Sequence, residues 1–117
     1  MDERSTTLSE ITRRLPPEWQ ADLLPAIQEK VRASRRKVIV LDDDPTGTQT
    51  VHAVPVLTGW PVEQIAEELK APSPAAYLLT NSRSMPLRQA QALNQETGEK
   101  IVAACQQSGV GVAVASR

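Results

Sequence analysis

The chain is 117 residues long, 40% hydrophobic and 23% charged, with thirteen basic residues against fourteen acidic ones, the arithmetic of a folded domain or part of one. A formal net charge of −1 provides no cationic field for nucleic acid. No apolar run approaches the roughly 20 residues that cross a bilayer, and Met1-Asp2-Glu3-Arg4 does not open a secretory signal. Cys105 stands alone, so no internal disulfide and no Cys/His metal site is expected, and a reducing cytoplasm is the natural setting.

Residues 1–36 read as a polar helical segment. Trp19, Leu23, Ile27 and Val31 recur every four residues and draw an apolar stripe. Pro16 and Pro17 suit a helix start, and Pro25 should kink or split the stripe. Arg32, Arg35, Arg36 and Lys37 close the segment; a solvated helix end is favoured for them over a phosphate site.

From Lys37 the pattern changes. Val38-Ile39-Val40-Leu41 predicts a strand buried on both faces. Val54–Thr58 is a second, weaker strand because of Pro55. Pro61–Lys70 predicts a helix with Val62, Ile65, Ala66 and Leu69 inward, and Ala76–Thr80 a third strand. Pro86–Gln107 predicts a longer helix capped by Ser84, with Leu87, Ala90, Ile101, Ala104 and Cys105 inward, ended by a left-handed Gly109. Val110–Ala115 is a fourth, buried-type strand. Strands alternating with helices imply an α/β fold: a parallel sheet of about four strands with flanking helices, part of a three-layer domain, preceded by the helical segment.

Ligands of open parallel sheets bind beyond the carboxyl ends of the strands. Three such ends carry polar clusters: Asp42-Asp43-Asp44-Pro45-Thr46-Gly47-Thr48-Gln49, then Thr80-Asn81-Ser82-Arg83-Ser84, then Ser116-Arg117. Arginine forks match a carboxylate or phosphate, and aspartates accept from hydroxyls, so the set suits a polyhydroxylated acid. Gly47 would let backbone approach a ligand. The plainer reading of the first cluster is a turn, and of the second a capping loop. His52 reads as loop structure, Trp60 as packing at a helix start, and Cys105 as core.

Two chemistries fit these clusters. An apolar strand followed by Asp42-x-Asp44-x-Thr46 resembles the first motif of haloacid-dehalogenase-type phosphatases, in which Asp42 would attack phosphorus and Asp44 act as acid/base. A wider resemblance covers Lys37 to Arg117. Val38–His52 with Val54–Thr58, then Tyr77–Ser84, then Val114–Arg117, resemble three ordered blocks of the four-carbon acid sugar kinase family. Here Asp-Asp-Asp-Pro-Thr-Gly-Thr-Gln stands where many members read Asp-Asp-Leu-Thr-Gly-Ala.

That resemblance implies an ATP-dependent kinase acting on threonate, erythronate or a 3-oxo-tetronate. Residues 37–117 would be the first half of its sugar-acid domain. ATP and Mg²⁺ would be held by a separate C-terminal nucleotide domain absent from this sequence, with no cofactor within this piece, which should be inactive alone. Asp43 and Asp44 would be catalytic. Thr46, Gly47, Asn81, Ser82, Arg83, Ser116 and Arg117 would bind substrate. A non-catalytic sugar-acid-binding module would use the same groups. The expected partner is a small-molecule sugar acid, without nucleic acid or membrane, and an open sheet edge would allow a homo-oligomer.

Overall fold

The computed structural model describes residues 5–116. Four parallel strands form one sheet: β1 (Arg36–Asp42), β2 (Val56–Leu57), β3 (Ala75–Leu79) and β4 (Gly111–Ser116), in the order β2-β3-β1-β4. Four helices accompany them: α1 (Leu8–Arg14), α2 (Leu24–Ser34), α3 (Val62–Lys70) and α4 (Leu87–Ser108). The α/β architecture is therefore the one the strand and helix alternation predicts. Among the described residues no helix is long and apolar enough to cross a membrane.

Register shows how the core is made. Ile39 of β1 pairs with Ala76 of β3, and Leu41 with Leu78, which in turn pairs with Leu57 of β2. These residues share one face of the sheet. With Ile65, Ala66 and Leu69 of α3 and Ile101 and Ala104 of α4 they form the hydrophobic core. The steps β2 to β3 and β3 to β4 run the same way across the sheet, so right-handed crossovers put α3 and α4 on the same face. The other face carries Val38, Val40, Tyr77 and Leu79, all half-buried.

At the opposite rim from the polar clusters, Lys37 is buried beneath α3. Its Nζ donates to Glu68 Oε1 at 2.9 Å and to the Glu68 backbone carbonyl. That pairing makes a lysine on the core face of a strand tolerable.

Several local expectations change. Pro16 and Pro17 lie between α1 and α2 and start neither. Pro25 sits in the first turn of α2, where its missing N–H is harmless, so it begins the helix rather than kinking it. The stripe residues Trp19, Leu23, Ile27 and Val31 are exposed. Pro86, not Ser84, is the cap residue of α4, and Leu87 is 72% exposed. Strand β4 is an edge, exposed along most of its length, not a buried strand. Gly109 ends α4 at φ 73°, as its sequence position suggests.

Candidate functional site

The carboxyl ends of β1 and β3 are stitched together. Thr80 donates twice to the Asp42 carbonyl, from its backbone N–H at 2.9 Å and from Oγ1 at 3.1 Å. One step further out, the Arg83 N–H donates to the Asp43 carbonyl at 3.1 Å. Between these bonds Asn81 takes a left-handed conformation, φ 53° and ψ 30°, which Asn tolerates better than most residues. It reverses the chain into a 3₁₀ turn, Ser82–Ser84. The two loops are thus held side by side through backbone, and their side chains meet.

Arg83 spans both acids. Its Nη2 donates to Asp43 Oδ1 at 3.0 Å and its Nε to Asp43 Oδ2 at 3.3 Å, a side-on fork. Its Nη1 donates to Asp44 Oδ2 at 3.0 Å. These contacts raise the Arg83 pKa further, through the Asp43 hydrogen bond first and then the charges of Asp43 and Asp44. Three of the five guanidinium N–H groups are used, so two remain for an incoming ligand.

Asp44 also folds its own loop. Its Oδ1 accepts from the Thr46 N–H at 2.8 Å and from Thr46 Oγ1 at 2.7 Å, capping the 3₁₀ turn Pro45–Thr48. Thr46 is exposed. Gly47 is buried, and the group it approaches closely is the Asp42 carboxylate: a Cβ at Gly47 would fall 2.3 Å from both carboxylate oxygens.

Asp42 has no exposed surface, and its Oδ2 has no hydrogen-bond partner among the described residues. Its Oδ1 accepts only a long bond, 3.3 Å, from the Asp44 N–H. This burial removes the phosphatase reading that uses Asp42 as nucleophile, because an oxygen shut beneath Gly47 cannot reach phosphorus. Neither the buried Asp42 nor the buried Lys37 is apparent from spacing alone.

Of the anticipated site residues, Asp43, Asp44, Thr46, Gly47, Asn81, Ser82 and Arg83 cluster in these two loops. Ser82 Oγ donates to Thr80 Oγ1 at 3.0 Å, since the Thr80 hydroxyl proton goes to the Asp42 carbonyl. Ser116 stands opposite Leu41 in the β1–β4 register, so it reaches the same rim on the other flank of β1. Arg117 lies outside the described residues. His52 is exposed, and Trp60 packs against the core with its Nε1 donating to Thr97 Oγ1 at 3.2 Å.

The site therefore offers carboxylate acceptors for hydroxyls beside a guanidinium with donors to spare. Such a pairing has the chemistry to suit a molecule carrying both alcohol and carboxylate groups. Comparison with curated proteins returns no match, and comparison with solved structures returns none either. One family model, that of the sugar-binding N-terminal domain, matches residues 38–117. The match spans nearly all of the sheet and both rim loops and leaves out α1 and α2. By more than two thirds of its length, this chain belongs to the family of sugar-binding N-terminal domains.

Proposed function

We propose that this chain is the sugar-acid-binding part of an ATP-dependent kinase whose substrate is a four-carbon sugar acid of the threonate, erythronate or 3-oxo-tetronate type. The observation that carries the reading is the Arg83 fork across Asp43 and Asp44, at the rim where a parallel sheet binds ligand. The family match supports sugar binding, and the three sequence blocks support the four-carbon class.

On this reading the free N–H groups of Arg83 take the substrate carboxylate, joined by Arg117. Ser82 and Ser116, with Thr46 and Asn81, line the approach to the hydroxyls. Asp43 or Asp44 orients the accepting hydroxyl and takes its proton as it becomes a phosphate ester; positioning and proton transfer are the contribution of these residues. Among the described residues no three His, Cys, Asp or Glu side chains are grouped to hold a metal ion. On this reading ATP and Mg²⁺ would be held by a separate nucleotide domain.

Calorimetry with threonate and erythronate tests the proposal, on this chain and on a protein carrying both domains. This chain binds one of the acids and consumes no ATP. The two-domain protein consumes ATP only when the acid is present. Binding without ATP consumption in the two-domain protein would replace the kinase with a sugar-acid sensor. Absence of acid binding in both would remove the sugar-acid assignment.

A further inference from the structure

A cavity lies at the rim of the sheet opposite the acid site. It has a volume of about 240 Å³ and sits where α2 runs into β1, walled by the Pro72–Ser73–Pro74 loop and floored by Val31, Leu69 and Val110. Arg32, Arg35, Arg36 and Lys37 all line it. Two of these cations are paired: Arg32 with Glu29 at 3.0 Å, and Lys37 with Glu68 at 2.9 Å. Among the described residues no carboxylate pairs with Arg35 or Arg36. The cavity thus presents two guanidinium groups with no carboxylate partner among the described residues, both open to solvent beside an apolar floor.

The backbone adds an independent observation. Arg35 is the single residue between α2 and β1, and it is left-handed, φ 52° and ψ 21°. Helices end this way with Gly or Asn, because a side chain there costs about 1–2 kcal/mol. An arginine at this position works against the local preference of the chain. Covering the carbonyl end of α2 does not require it, since Arg32 already lies in the last turn. An arginine in this conformation is a backbone outlier consistent with a task for its side chain.

We infer that this cavity binds the phosphate group of a small phosphorylated molecule, held by the Arg35 and Arg36 guanidinium forks. Arginine matches phosphate oxygens in pairs, and the volume accommodates a phosphate with a short organic substituent. The site is separate from the acid site. Strand β1, seven residues long, puts about 20 Å between the two rims at roughly 3.3 Å per residue.

Titration of the chain with inorganic phosphate and with pyrophosphate, at constant ionic strength, reads the site by amide NMR. Saturable shifts are expected at Arg35, Arg36, Ser73 and Val110. Arg35→Gly suits the left-handed backbone, so its melting temperature should hold or rise while phosphate affinity falls about tenfold or more. Arg36→Gln should weaken binding similarly, and Arg83→Ala at the other rim should leave it unchanged. Phosphate affinity unaltered in Arg35→Gly and Arg36→Gln would overturn the assignment. So would a response that fails to saturate, or saturation by an acidic peptide and not by phosphate. None of these outcomes depends on sugar-acid binding, which Arg83→Ala tests by itself.

Discussion

The carboxylate of Asp42 lies flat against the α-carbon of Gly47, so close that no side chain larger than hydrogen fits between them. Both groups are buried at the end of the central strand, and the 3₁₀ turn that contains Gly47 carries Thr46 and is capped by Asp44. The contact therefore sets the height of the loop that presents the candidate acids.

Gly47→Ala tests this contact. The added methyl overlaps both Asp42 oxygens, so the turn must lift, at about 1–3 kcal/mol. Urea unfolding should show that loss, and threonate affinity should fall with it. Asp42→Ala in the same chain removes the clash, so the two changes should be clearly non-additive. Simple additivity would show that Gly47 and Asp42 do not press on one another.

Arg83→Ala removes the side-chain link between the two loops and leaves their backbone bonds in place. The pair is largely solvated, with the Arg83 side chain 59% exposed, so the unfolding midpoint should move little. Acid affinity should fall about tenfold or more, because charge-assisted bonds to the ligand carboxylate are lost. Arg83→Lys should recover only part of it, since an ammonium cannot span Asp43 and Asp44 as the fork does. Unchanged calorimetric affinity in Arg83→Ala would place the ligand elsewhere.

Asp44→Asn and Asp44→Ala separate a proton acceptor from a loop cap. Asparagine retains an oxygen for the Thr46 N–H, so the turn should survive. In the proposed two-domain kinase its turnover should nevertheless fall about 10²-fold or more if Asp44 takes the proton. Alanine should lose the cap as well, at about 1 kcal/mol of stability. Full turnover in Asp44→Asn would pass the proton-accepting role to Asp43.

Lys37→Met leaves Glu68 without its partner, and the Glu68 side chain is only 20% exposed. Breaking such a pair should cost about 3 kcal/mol in urea unfolding. Lys37→Met with Glu68→Leu should recover most of it, because two apolar side chains can fill the same space and the Glu68 carbonyl still accepts from Ala71. A double variant no better than the single one would show that the lysine stabilises by more than its charge.

Helix α1 should respond to acid. Thr7 and Glu10 form a capping box, with the Thr7 N–H donating to Glu10 Oε2 at 2.8 Å, and this backbone bond is the largest cause holding the Glu10 carboxyl below its usual 4.5. A lowered folded pKa stabilises α1 above the unfolded value, and the contribution disappears as pH falls through the folded one. Cα chemical shifts of Leu8–Arg14 should therefore hold their helical character at neutral pH and lose it as pH falls below the ordinary carboxylate value of 4.5. Thr7→Ala keeps the backbone bond and should only weaken that dependence, whereas Glu10→Gln should lack it.

Local chemistry determined the element types. The β-branched run before Asp42, the four-residue spacing from Val62 to Leu69 and the glycine at 109 each act within a few residues, so strands, helices and stops could be read in order, and with them the rim that gathers the polar clusters. The bond between Arg83 and Asp43 crosses 40 positions, and its direction follows from the pairing of β1 with β3. Burial of Asp42, the pairing of Lys37 with Glu68 and the bare edge of β4 likewise depend on strand order, which α3 and α4 decide by crossing the same face. Periodicity reports which side of an element is apolar; only packing says what stands on that side, because desolvation and charge pairing act between groups far apart in the chain.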